Sequence, residues 1–124
     1  MNIPKELLYT RDHEWIKIDG DIATVGITDF AQGELGDIVY VEIETIGETL
    51  EAEAVFGSVE AVKTVSDLMM PITGELLSLN EELEANPELI NTDPYGAGWM
   101  VKIKVQDKVA NLLTFAEYSA LIGG

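Results

Sequence analysis

Apolar and polar positions alternate with a period of two through most of this chain, in short runs separated by turn residues. Trp15 to Ile18 and Ile22 to Val25 flank Asp19-Gly20-Asp21, a hairpin signal in which glycine supplies the positive φ of a tight turn. Val55, Gly57, Val59 and Ala61 alternate with Phe56, Ser58, Glu60 and Val62. Beyond Lys63, the positions Thr64, Ser66, Leu68 and Met70 alternate with Val65, Asp67 and Met69. Two strands are predicted here, with their turn at Val62-Lys63-Thr64-Val65. That turn holds neither Asn-Gly nor Asp-Gly, so the hairpin is inferred from its flanks alone. Pro71 cannot donate to a ladder and Thr73-Gly74 is a turn pair, which ends the second strand before a third runs from Glu75 to Leu79. Ile38 to Ile43 and Trp99 to Val105 read as further strands.

Helical signals are few and local. Thr28 is placed to cap a helix with Asp29 in its first turn, and Gly33 and Gly36 stop it within about two turns. Thr114-x-x-Glu117 is a capping box that opens a short C-terminal helix through Tyr118 and Leu121. Between them, Pro87 interrupts any helix and Asn91 to Gly98 is dense in turn residues, so an ordered loop is predicted. No fixed-period repeat and no low-complexity segment is present. Many short strands define a mainly β fold, a small antiparallel sandwich or flattened barrel, as one domain over residues 1–124.

Composition narrows the chemistry. At 124 residues the chain can bury a core without a metal or disulfide, and with no cysteine it has neither a disulfide framework nor a thiolate metal site. Any redox chemistry must come from a cofactor. Met1 to Glu6 has no apolar signal core and no run is long enough to cross a bilayer, so a soluble, cytoplasmic protein is expected. A net charge of −16, from 7 bases and 23 acids, opposes binding to nucleic acid or anionic membranes. A protein partner is expected to offer basic patches.

Against that background one residue stands apart. Between Lys17 and Lys102 the only base is Lys63, among 18 acids. Its plain reading is a solvated surface lysine. A catalytic amine needs a lowered pKa, whereas Glu60 and Asp67 favour the charged form. Covalent modification by an external enzyme needs only exposure and a readable platform. His13, the only histidine, has no serine or cysteine positioned beside it by sequence and is expected to be structural. Glu81, Glu82, Glu84 and Glu88 lack the spacing of a calcium loop, and Gly33-x-x-Gly36 falls short of a phosphate loop. Trp15, Trp99, Phe56 and Tyr40 read as core or rim aromatics.

Gly57-Ser58-Val59-Glu60-Ala61-Val62-Lys63-Thr64-Val65-Ser66-Asp67-Leu68, followed by Pro71-Ile72-Thr73-Gly74-Glu75, closely resembles the lipoyl-attachment segment of the glycine cleavage system H proteins. The resemblance extends through His13-Glu14-Trp15, Ala23 to Asp29, Leu35 to Val39, Asn91 to Gly96 and Gly98 to Ile103, almost the whole chain. It implies a carrier fold of the lipoyl/biotinyl (barrel-sandwich hybrid) type and a non-catalytic carrier function. Lipoic acid would be amide-linked to Lys63. It would shuttle an aminomethyl group from a pyridoxal-phosphate glycine decarboxylase to a tetrahydrofolate-dependent aminomethyltransferase, and be reoxidised by dihydrolipoamide dehydrogenase. A lipoate ligase or lipoyl transferase would attach the group, recognising Glu60 and Gly74, while Glu14 and Asp67 would meet the loaded arm. No metal is implied, and the role suits a monomer.

Three departures from the family pattern, Met69-Met70, Phe30 and Glu44-Thr45-Ile46, leave Lys63 untouched. Rival readings are a carrier domain of another complex, a lipoyl relay to other carriers, and an enzyme with its own active site. Val62 and Thr64 lack the methionine flanks typical of biotin sites.

Overall fold

A computed structural model describes residues 2–106 and 112–123. The chain runs through β1 (Leu8–Tyr9), β2 (Glu14–Asp19), β3 (Ile22–Ile27), α1 (Asp29–Leu35), β4 (Ile38–Glu42), β5 (Thr49–Leu50), β6 (Val55–Ala61) and β7 (Val65–Met69). It continues through β8 (Gly74–Leu79), α2 (Glu82–Ala85), α3 (Leu89–Thr92), β9 (Val101–Val105) and α4 (Phe115–Leu121). Six strands form one antiparallel sheet in the order β1-β2-β3-β9-β8-β5, and three form a second in the order β4-β6-β7. The mainly β sandwich with short helices and a C-terminal helix is the architecture that the alternating pattern predicts.

Alternation is what closes it. Val101 and Ile103 point inward while Lys102 and Lys104 point to solvent, and Phe56, Val59 and Ala61 line the inner face of β6. Ile16, Val25, Leu76 and Ile103 from the large sheet share one core with Phe56, Val59 and Leu68 from the small one. Burying each such side chain contributes roughly 1.5–3 kcal/mol, so the inter-sheet core is the main stabilising term. A second cluster, Leu7, Tyr9, Trp15, Leu113 and Tyr118, seats α4 against β1, with the rings of Tyr9 and Tyr118 stacked 4.7 Å apart. The Thr114 capping box is present in full, its side chain accepting from Glu117 N and the Glu117 carboxylate accepting from Thr114 N.

Among the boundaries that differ from the sequence prediction, three have a clear physical cause. Gly33 lies inside α1, where glycine costs only about 1 kcal/mol; the helix ends at Gly36, whose φ of 83° is open to glycine. The predicted loop around Pro87 holds two single-turn helices, α2 and α3, with the proline between them, as its fixed φ permits at a helix start. The last strand starts at Val101 rather than Trp99. The Asn80 side chain donates to the carbonyls of Ala97 (2.7 Å) and Trp99 (2.9 Å), using groups that a ladder would otherwise take.

Candidate functional site

The β6–β7 hairpin presents Lys63 on a braced tip. Ala61 N donates to Thr64 O at 2.8 Å to close the turn, and Val62 N donates to Asp37 O at 3.1 Å, fastening the tip to the segment that follows α1. Asn91 holds that segment from the other side. Its Oδ1 accepts from Ile38 N, and its Nδ2 donates to Gln32 Oε1 and Gly36 O, each at 2.9 Å. Lys63 itself is exposed. A Cβ placed on Gly36 would lie 3.5 Å from Lys63 Cε and 3.9 Å from Nζ, so the bare glycine borders the lysine stem.

Beside this hairpin lies a cleft of about 460 Å³, walled by the β2 approach (Asp12, His13, Glu14), by α1 (Phe30, Glu34) and by β7. Asp67 on β7 lines it, four residues beyond Lys63. The cleft gathers Asp12, Glu14, Glu34 and Asp67 around an apolar interior that includes Ile27, Leu35, Val59 and Leu68. Such a lining can take an acyl chain with a cationic end.

Glu14 is the least ordinary of these acids. It is only 3 % exposed, so it is no surface carboxylate. Oε1 accepts from Thr10 Oγ1 and Oε2 from Met69 N, both at 3.1 Å, which ties the large sheet to the edge strand of the small one. Burial pushes its pKa up to about 8, with Asp12 adding to the rise and the Thr10 and Met69 hydrogen bonds opposing it. At neutral pH it is largely protonated until a cation approaches.

His13 has the structural role expected from sequence and also borders the cleft. Its Nδ1 lies 2.9 Å from the Tyr118 hydroxyl, which lies 2.7 Å from Thr28 Oγ1, the cap of α1. The network joins α4 to the cleft wall. Burial lowers the His13 pKa, against the pull of Asp12 and Glu34, and favours the neutral ring. Its φ of 65° lets Thr10 O accept from His13 N and Thr10 N donate to Glu14 O, the turn that aims Glu14 inward.

Glu60 stands exposed on β6, three residues before Lys63, with its side chain toward solvent. Gly74 is placed differently: it is buried in the large sheet, between Leu50 of β5 and Val105 of β9. A Cβ there would lie 2.5 Å from Ile103 Cγ2 and closer still to Lys104 O, so strand packing by itself demands glycine. Gly74→Ala is expected to destabilise the fold by about 1–3 kcal/mol, the range for an overpacked core. Urea unfolding reads this directly, and an unchanged midpoint would contradict it.

Asp12 and Glu34 in the cleft, and Asn91 beneath the tip, were not singled out from the sequence. Phe30, Ala31, Glu34 and Leu35 share one face of α1, a spacing that could have found Glu34. Among the described residues no group of three or more His, Cys, Asp and Glu side chains could hold a metal, and no helix is long and apolar enough to cross a membrane.

The fold is thus a two-sheet sandwich with an exposed lysine at a braced hairpin tip, beside an acid-rimmed apolar cleft. The sequence profile of the Glycine cleavage H-protein family matches residues 7–123. The chain is 57 % identical over 126 residues to the glycine cleavage system H protein of Bacteroides thetaiotaomicron, covering all of both chains, and 61 % identical over 127 residues to that of Chlorobium phaeobacteroides, covering 99 % of each. The crystal structure of a glycine cleavage system H protein from Mycobacterium marinum superposes with a TM-score of 0.91 at 43 % identity, covering 98 % of this chain and 100 % of that one. The chain belongs to the glycine cleavage H-protein family, the lipoyl-carrying, non-catalytic component of the glycine cleavage system.

Proposed function

We propose that lipoic acid is joined in amide linkage to Lys63 Nζ. On this reading residues 1–124 act as one carrier domain, a cytoplasmic monomer, serving glycine decarboxylase, aminomethyltransferase and dihydrolipoamide dehydrogenase in turn. The observation that carries this reading is an exposed lysine on a stiff hairpin, tied through Asp37 and bordered by Gly36, at the side of the acid-rimmed cleft. Bound there, the lipoyl group would supply a dithiolane that accepts and returns two electrons and carries the aminomethyl carbon between enzymes. The chain contributes reach and shelter. On this reading Lys63 anchors the arm and Glu14 and Asp67, which line the cleft, receive its ammonium end. Ile27, Leu68 and Phe30 keep water from it.

Lipoylated protein mixed with glycine and a glycine decarboxylase is expected to support exchange of labelled bicarbonate into the glycine carboxyl group. The unmodified chain is expected to support none. Equal exchange from both forms would overturn the reading.

Glu60 serves in this scheme as a contact for the lipoate ligase or lipoyl transferase, since it is exposed beside the lysine. Gly74, having no side chain and no exposure, acts through the fold. Glu60→Gln is expected to lower the rate of lipoylation about tenfold, equivalent to losing one charge-assisted hydrogen bond of roughly 1.5 kcal/mol, while the thermal midpoint stays put. Unchanged modification kinetics would remove Glu60 from the scheme.

A further inference from the structure

Strand register sets Tyr40, Glu60 and Val65 side by side in one row across the outward face of the three-stranded sheet. Tyr40 is 50 % exposed and Val65 61 %, and Val62 at the hairpin tip is 76 % exposed. Among the described residues, five of the eight large exposed hydrophobic side chains lie on this sheet or its hairpin; Ile18, Leu77 and Leu121 are scattered over three other elements. Isolated exposed apolar residues are ordinary, but a contiguous group of them marks an interaction surface. The adjacent row on that face carries Glu42, so an acid also borders the strip.

We propose that the Tyr40–Glu60–Val65 row, continued by Val62, is the docking surface for the enzyme that acylates Lys63, and that this enzyme offers an apolar contact ringed by basic residues. The proposal rests on the reading of Lys63 as the attachment site. An acylating enzyme must bring its reacting carbonyl to Nζ itself, so it has to close on the residues flanking the tip. Charge fits the same occupant: Glu60 lies between two apolar neighbours, so it loses water in a complex and requires a cation opposite it. The surrounding acids and the net charge of −16 steer a basic surface toward the hairpin.

The test uses the unmodified full chain, a lipoate ligase, lipoic acid and ATP. Tyr40→Thr with Val65→Thr keeps strand-forming residues at both positions while removing the apolar contact. The double variant is expected to raise the KM for the carrier and the Kd for the ligase, measured by titration calorimetry, at least about tenfold, with kcat within twofold and the thermal midpoint unchanged. Either single variant gives the same readout, in smaller measure, if the pair does not fold. A control pair, Ile18→Thr with Leu77→Thr, is expected to change neither constant. Values for the row variants within twofold of the parent, or an equal effect from the control, would overturn the docking surface. A parent chain that the ligase does not modify at Lys63 would instead overturn the attachment reading.

Discussion

Replacing Lys63 by arginine is expected to reduce glycine-dependent bicarbonate exchange to the background of the unmodified chain, while the unfolding midpoint does not move. Arginine preserves the positive charge and the length of the stem, but its guanidinium is no acyl acceptor under the conditions in which an amine is one. Lys63 is exposed, so little packing is lost, and surface substitutions of this kind usually stay within about 0.5 kcal/mol. Both halves are measurable on one preparation, by the exchange assay and by urea unfolding. Residual exchange above background would place the arm on another residue, and a large loss of stability would make the lysine a structural element.

The second large effect is a pH dependence carried by Glu14. Its folded pKa of about 8 stands above the ordinary value of 4.5, so between those limits the unfolded chain has released a proton that the native chain keeps. Stability then falls as pH rises through that window. Each pH unit removes up to about 1.4 kcal/mol, which amounts to roughly 3 kcal/mol by pH 7. Glu14→Gln stays neutral and still offers an acceptor to the Met69 N–H. The variant is expected to match the parent near pH 4.5 and to exceed it by roughly 3 kcal/mol at pH 7, in urea unfolding followed across pH. Parallel profiles would show that this carboxyl does not titrate late. A carboxyl that must ionise while buried costs stability, and groups perturbed in this way cluster at functional sites. An ammonium entering the cleft would lower the Glu14 pKa and turn the penalty into binding.

How much of this was legible beforehand depends on how local the cause is. The β2–β3 hairpin, the Thr28 cap and the Thr114 capping box are written in residues within a few positions of one another. The lysine hairpin emerged from the alternation on both sides of Lys63, despite a turn without Asn-Gly. The cleft is another matter. Glu14 is buried because Met69 N, 55 positions away, meets its carboxylate, and Ile38 N reaches Asn91 across 53 positions. No local pattern reports such distances along the chain. The resemblance to carrier proteins named Glu14 and Asp67, but it did not show that Glu14 is buried or that Asp12 and Glu34 stand with it. For Gly74, the sequence suggested a turn glycine, whereas the structure gives a close approach of Ile103 and Lys104 from the neighbouring strand. Pro87 was expected to forbid helix nearby, yet single turns on either side tolerate it because neither needs an N–H from residue 87.

The carrier role turns on Lys63 bearing the arm. The most direct measurement is the intact mass of protein made in a lipoate-replete host, followed by peptide fragmentation around Lys63. One lipoyl increment per chain, located on Lys63, is expected. An unmodified Lys63 in cells that lipoylate their other carriers, or an increment on another lysine, would contradict it.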